Sequence, residues 1–267
     1  MFPIFTITGR TVGMYQIMML AGIFTSGFYV THICKKNGND ESDAIIFLLM
    51  ISIGVIAGGH ILYLIVNFRI LIKIIKNIHV IDSFKNFLSA VNLLLGGNVF
   101  YGGLLGGILA ALIILKKRPQ SGYLLDIITP AIPLFHFFGR IGCFFAGCCF
   151  GIESSFGFTF SHSIIEEANG INRFPVQLLE AFINLLLFIV LDFFRRKNFF
   201  IKNIIYIYLL LYSVARFFIE FLRGDEYRGF VFALSTSQFI SILVFCFTVL
   251  KIYSLSKHNN FKFSSEI

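Results

Sequence analysis

The chain has 267 residues, of which 57% are apolar and 13% charged, with 35 Phe, no Trp and a mean hydropathy of +0.84. Soluble domains carry roughly a quarter charged residues, so the balance excludes a soluble globular enzyme, a disordered chain and a disulfide scaffold, and leaves a polytopic helical membrane protein. The formal charge of +8 then marks membrane rims rather than a nucleic-acid partner, and five Cys is an odd number for a disulfide framework.

A spanning helix needs about 20 mostly apolar residues. Seven stretches qualify or nearly do: 14–33, 44–66, 98–115, 124–150, 174–194, 199–222 and 234–253. The first lacks a cationic leader beyond Arg10 and a small-residue cleavage site, which predicts a retained helix rather than a signal peptide. The second carries Gly54 and Gly58-Gly59, and the third interleaves Gly102/Gly106 with Gly103/Gly107. Such small-residue pairs predict close helix packing. Between them, Arg69, Lys73 and Lys76 recur at helical spacing among Ile and Leu, which predicts an interfacial helix within 67–97. The expected fold class is an all-α integral membrane protein of seven transmembrane helices, one polytopic domain over 1–267.

Basic residues favour cytoplasmic connections. With the N-terminus outside, the inner connections hold twelve: Lys35, Lys36, Lys116, Lys117, Arg118, Arg195, Arg196, Lys197, Lys202, Lys251, Lys257 and Lys262. The outer ones hold eight, of which Arg69, Lys73, Lys76 and Lys85 fall in the interfacial segment. The expected topology is N-terminus outside and C-terminus cytoplasmic.

Arg140 and Arg216 belong to neither set, because they lie inside predicted spans, as do Glu180 and Glu220. Charge at membrane depth is costly and faces a polar cavity or a partner. With Tyr15 and Tyr101, these residues fall at one depth on the outer side. Two arginines there suit a phosphate, because guanidinium forks offer permanently charged bidentate donors. The competing reading pairs Arg216 with Glu220 one turn along its own helix. Arg140 has no acidic residue within four positions, so its partner sits on another helix or on a ligand.

The segment His136-Phe-Phe-Gly-Arg140-Ile-Gly142-Cys143-Phe-Phe-Ala-Gly147-Cys148-Cys149 is the most unusual. His136 and Arg140 share a helical face. Three thiols raise a metal or redox centre, yet Cys-x4-Cys-Cys matches neither common zinc spacing nor Cys-x-x-Cys. Apolar packing is the favoured reading of at least two of them, and no metal or cofactor is expected.

Seven segments in chain order resemble the prolipoprotein diacylglyceryl transferase family. Tyr15-Gln-Ile-Met-Met-Leu-Ala-Gly22 resembles its first-helix Tyr-Gly-Leu-Met pattern, and Gly58-Gly59-His60 its Gly-Gly-Arg. Gly97-Asn-Val-Phe-Tyr101-Gly-Gly-Leu104 resembles Gly-x-x-Phe-His-Gly-Gly-Leu/Met. Gly139-Arg140-Ile-Gly142-Cys143-Phe resembles the signature Gly-Arg-x-Gly-Asn-Phe. Arg173-Phe-Pro175-Val-Gln177-Leu-Leu-Glu180 resembles Arg-His-Pro-Ser-Gln-Leu-Tyr-Glu. Tyr212-Ser-Val-Ala-Arg216-Phe-Phe-Ile-Glu220-Phe-Leu-Arg223 resembles Tyr-Gly-x-x-Arg-Phe-x-x-Glu-Phe-x-Arg, and Ser235-Thr-Ser-Gln238 the Ser-x-Gly-Gln that opens the last helix.

The resemblance implies a bacterial cytoplasmic-membrane enzyme with seven helices and an outside N-terminus. Such enzymes transfer diacylglyceryl from phosphatidylglycerol to the lipobox cysteine of a prolipoprotein signal peptide, forming a thioether and releasing glycerol-1-phosphate. It implies Arg140 and Arg216 as cations for the departing phosphate. Tyr15, Gly142, Cys143, Tyr212 and Glu220 complete the expected substrate-binding set. The family's His in the His-Gly-Gly run is Tyr101 here, its signature Asn is Cys143, and the Glu five residues on is Cys148. Tyrosine is a poorer base than histidine near neutral pH, so Tyr101 and His136, which lies near the signature one helical turn from Arg140, are both expected candidates for the proton-accepting role. Other readings keep the fold with a different acceptor, make it a non-catalytic lipid-binding protein, or make it a thiol oxidoreductase.

Overall fold

The computed structural model describes residues 4–7, 10–76, 83, 84, 86, 88, 99–118, 122–163, 165–225, 230, 231 and 234–257. The helices are α1 (Met14–Lys36), α2 (Glu41–Val66), α3 (Phe68–Lys76), α4 (Phe100–Lys117), α5 (Tyr123–Ala146), α6 (Val176–Arg196), α7 (Ile204–Ile219) and α8 (Thr236–Lys257). Each of the seven expected spans corresponds to one helix, and α3 is the nine-residue helix carrying Arg69, Lys73 and Lys76. Six are long and apolar enough to cross a membrane: α1, α2, α5, α6, α7 with its terminal turn, and α8. The seventh, α4, has 18 residues and ends on Lys116 and Lys117. The protein is thus an all-α membrane protein in its helices. The rest of the 67–97 segment, Gly97 and Asn98 lie outside the described residues, apart from a few positions from 83 to 88.

The apolar runs dictate these helices, and their ends carry local signals. Asp40 caps α2, its Oδ1 accepting from Ser42 N at 2.8 Å, with Glu41 and Asp43 in the first turn. Lys35 and Lys36, Lys116 and Lys117, and Arg195 and Arg196 close α1, α4 and α6, where cations meet exposed carbonyls. Large apolar side chains face outward: Phe24 is 74% exposed, Phe28 71% and Leu250 68%. Apolar surface on this scale is unfavourable in water and is the expected face toward lipid.

The sequence did not announce the three two-stranded antiparallel sheets found among the described residues. β1 (Ile4–Ile7) pairs with β2 (Arg10–Gly13), β3 (Glu153–Thr159) with β4 (Asn172–Arg173), and β5 (Phe230–Val231) with β6 (Leu234–Ser235). The expected 124–150 span also ends early, at Ala146, because Gly147 turns the chain with φ +73°.

The chain divides into two compact units, 1–38 with 123–267, and 39–122. In the larger, α1 packs on α5, α5 on α6, α6 on α7 and α7 on α8. One apolar cluster, Leu187, Leu191, Ile204 and Tyr208, joins α6 to α7, and another, Phe144, Phe150, Phe160 and Ala168, seats β3 and the loop after α5. At the C-terminal end of α6, Asp192 accepts from Tyr29 Oη at 2.6 Å and pairs with Arg195 and Arg196.

In the smaller unit, α2 and α4 meet through glycines, as their small-residue pairs predict. A Cβ on Gly54 would sit 2.6 Å from both Ala110 Cβ and Gly106 O. Val99 N donates to Gly59 O at 3.1 Å, fixing where α4 begins. Gly54→Val is therefore expected to cost about 1–3 kcal/mol through overpacking. Thermal unfolding in detergent checks this, and an unchanged midpoint would refute the contact.

Candidate active site

Four charged residues from α5, α6, α7 and the turn after α7 converge. Glu180 stands one turn into α6, whose first residue follows Pro175. Its Oε1 accepts from Arg216 Nη1 at 2.5 Å, and its Oε2 pairs with Arg140 Nε. One carboxylate thus links two guanidiniums from two other helices. Arg216 also pairs with Glu220 Oε2 at 2.8 Å through Nη2, which donates in addition to Ser237 Oγ at 3.1 Å. Glu220 opens the short 3-10 turn Glu220–Leu222, and Ser237 opens α8. Two cations and two anions make a set of formally zero net charge, as burial in an apolar medium requires.

The expected pairing of Arg216 with Glu220 is present, but Glu180 is a second partner, and it also supplies the partner that Arg140 lacks on its own helix. The two arginines differ in what remains open. Arg216 uses both terminal nitrogens on protein groups. Among the described residues Arg140 is engaged only through Nε, and its side chain is 23% exposed against 5% for Glu180. Both Nη groups of Arg140 remain for an anion with two acceptor oxygens. A cavity of about 10 Å³ lies beside the set, lined by Glu180, Ile183, Asn184, Tyr212, Ala215, Arg216 and Ile219.

Other expected residues gather here. His136 stacks obliquely on Tyr212, ring centroids 5.8 Å apart, and Tyr212 packs on Tyr208 at 5.6 Å. Among the described residues His136 makes no hydrogen bond, so nothing orients its imidazole toward one proton partner. Gly142 is buried where α5 crosses α1, and a Cβ there would meet Tyr15 Cδ2 and Met18 Cβ at 3.2 Å. Tyr15, 40% exposed, therefore stands within a turn of Arg140. Tyr101 falls in the first turn of α4, in the other unit, and its side chain lies outside the description.

Sequence reasoning undervalued the cysteines. Cys148 N returns to Cys143 O at 3.2 Å, and Cys149 adopts φ +55°. This fold-back brings the three sulfurs within 4.8 Å of one another, all partly exposed. They are not sealed packing groups, which corrects that reading. Several elements clamp their loop. Gln177 Nε2 donates to Cys148 O at 2.9 Å, Ser163 Oγ to Gly147 O at 3.1 Å, and Gly224 N to Phe150 O at 3.0 Å. Arg173 Nη1 donates to Gly151 O at 3.3 Å while its guanidinium lies 4.2 Å over the Phe150 ring. Arg223, held by Asp225 through contacts of 2.8 and 2.5 Å, acts electrostatically on Cys149, as does Arg140.

The profile described as prolipoprotein diacylglyceryl transferase matches residues 3–254. The chain belongs to this family. The phosphatidylglycerol–prolipoprotein diacylglyceryl transferase of Clostridium tetani is 33% identical over 242 residues, covering 90% of this chain and 91% of that protein. A second so named, from Clostridium perfringens, is 33% identical over 254 residues, 94% and 93% of the two chains. The corresponding protein of Campylobacter hominis is 30% identical over 248 residues, 90% and 85%. The chain is accordingly a multi-pass membrane transferase of this family, and its relatives are bacterial.

Proposed function

We propose that the protein transfers diacylglyceryl from phosphatidylglycerol to the lipobox cysteine of a prolipoprotein at the outer face of the bacterial cytoplasmic membrane. The observation that carries this is the Arg140–Glu180–Arg216 set: Glu180 orients Arg140 through Nε, and among the described residues both Nη groups of Arg140 are left open. In this reading they take two oxygens of the phosphodiester and hold the charge that grows as the glyceryl C–O bond breaks. Tyr15, Gly142, Cys143, Tyr212 and Glu220 shape the surrounding headgroup site, and Arg216 holds Glu180 in place.

The orientation is N-terminus outside and C-terminus cytoplasmic, supported by the Lys and Arg balance of the connections. Arg140 and Arg216 stand near the C-terminal ends of α5 and α7, and Glu180 near the N-terminal end of the antiparallel α6. In that orientation this end is the outer one. Asp192 and its two arginines lie twelve residues further along α6, roughly 18 Å away, toward the inner face.

Labelled phosphatidylglycerol and a lipobox peptide, supplied to the purified protein, should yield thioether peptide and released glycerol phosphate. Headgroup release only with another acceptor would replace the peptide with that acceptor. Lipid binding without release would overturn the transferase reading.

The acceptor thiol must lose a proton, because thiolate is the competent nucleophile. We assign that proton to His136 or Tyr101. His136→Gln and Tyr101→Phe separate them: the variant that removes the acceptor lowers turnover about 10²-fold. Full activity in both would exclude the assignment.

A further inference from the structure

We propose that Cys143, Cys148 and Cys149 hold a zinc ion whose fourth position binds the acceptor cysteine thiol. The proposal rests on the transferase reading above and names how that reaction prepares its nucleophile.

The three sulfurs are the one group of metal-ligating side chains that converge in this way among the described residues. A Zn–S bond is about 2.3 Å, which puts the sulfurs of a zinc site roughly 3.8–4.0 Å apart. Sulfurs already within 4.8 Å close on an ion by side-chain rotation. The unusual Cys-x4-Cys-Cys spacing works because α5 stops at Ala146 and Gly147 reverses the chain, so Cys148 and Cys149 return to the last turn that bears Cys143. The clamps from Gln177, Ser163, Gly224 and Arg173 fix that loop before any ion arrives, the support that a preformed ligand set needs.

Ligand number selects the ion and its role. Zinc prefers four ligands, and catalytic zinc sites keep one of the four for water or substrate. Three protein thiolates leave that position open, and their partial exposure leaves it accessible. Three thiolates on a divalent ion leave one net negative charge on the site. Coordination to zinc deprotonates a thiol outright, which lowers the demand on a protein base.

The step balances. The incoming thiol displaces water from zinc, and its proton passes to the base assigned above and on to solvent. The zinc-held sulfur then forms a bond to the glyceryl carbon while the carbon–oxygen bond to phosphate breaks. The phosphate oxygen keeps the electron pair and leaves as glycerol phosphate. The neutral thioether is a poor ligand and yields its place to water.

The test uses the full chain in phosphatidylglycerol-containing nanodiscs, loaded with Zn2+ or with Co2+ as the spectroscopic probe. Expected are one ion per chain, a thiolate-to-cobalt charge-transfer band and tetrahedral d–d bands. These should shift with a lipobox peptide and not with its Cys-to-Ser counterpart. Chelation should lower turnover about 10²-fold, restored by Zn2+. Cys149→Ser should lose the charge-transfer band. Cys143→Asn with Cys148→Glu should lose it while circular dichroism shows retained helix. Absence of the band in the loaded wild type, a spectrum indifferent to the thiol peptide, or a disulfide among the three cysteines would each overturn the proposal. Full turnover in the metal-stripped chain overturns it too and leaves the transferase reading standing. A cobalt site that responds to the thiol peptide without any headgroup release keeps the site and overturns that reading.

Discussion

Arg140→Lys is expected to lose phosphatidylglycerol turnover by on the order of 10²–10³-fold, the range for removing one preorganised donor from developing charge. The substitution keeps the positive charge, so the loss tests geometry. A guanidinium serves two partners at once: Nε engages Glu180, and in the proposed reading the two Nη groups take the phosphate. A lysine ammonium is a single point on a flexible stem. It can follow Glu180 or the phosphate, and in holding either it abandons the planar two-oxygen contact. Headgroup release and thioether formation should fall together, with little change in thermal stability because one charge still neutralises Glu180. Wild-type turnover in Arg140→Lys would remove this residue from the phosphate site. A loss confined to KM would mark it as a ground-state binding group alone.

Glu180→Gln is the second large effect, and it falls first on stability. The Glu180 side chain is 5% exposed and that of Arg216 12%, so the ion pairs sit where water supplies little compensation. Removing the shared carboxylate leaves Arg140 without an ion-pair partner among the described residues and sets two guanidiniums facing an uncharged amide. Breaking a buried pair in this way costs about 3–5 kcal/mol. Glu220 still pairs with Arg216, which limits the damage at that end. The phosphate reading adds a specific expectation. An anion between the arginines replaces the missing charge, so phosphatidylglycerol should raise the melting temperature of Glu180→Gln more than that of wild type. A zwitterionic lipid of the same chains should not. Equal stabilisation by both lipids would show that the arginines serve structure alone.

These outcomes bear on how far the chain could be read without its fold. The apolar runs located all seven principal helices, and Arg69, Lys73 and Lys76 located the short α3. The glycines of α2 and α4 were legible as packing surfaces because a small-residue pair at helical spacing is a local property. The strand pairs were not legible, since β3 and β4 pair by a short, bulged register across a loop and carry no long alternating pattern. The end of α5 was misplaced by four residues, because Gly147 and Cys149 take left-handed conformations that an apolar count ignores.

At the site, the sequence alone determined which charges were anomalous. An arginine inside an apolar run is costly wherever the helix goes, so Arg140 and Arg216 stood out before any packing was known. What tertiary structure decided was their relation. Arg216 and Glu180 are 36 positions apart, and only the packing of α5, α6 and α7 makes one carboxylate serve both arginines and leaves Arg140 as the open one. The cysteines follow the same division. Their number and odd spacing were plain in the sequence and argued against a metal, because spacing rules assume an uninterrupted helix or a known loop. The reversal at Gly147 and the clamps from Ser163, Arg173, Gln177 and Gly224 bring the sulfurs together. Burial cost is a property of one residue and its neighbours in sequence; convergence depends on contacts the chain makes only once it is folded.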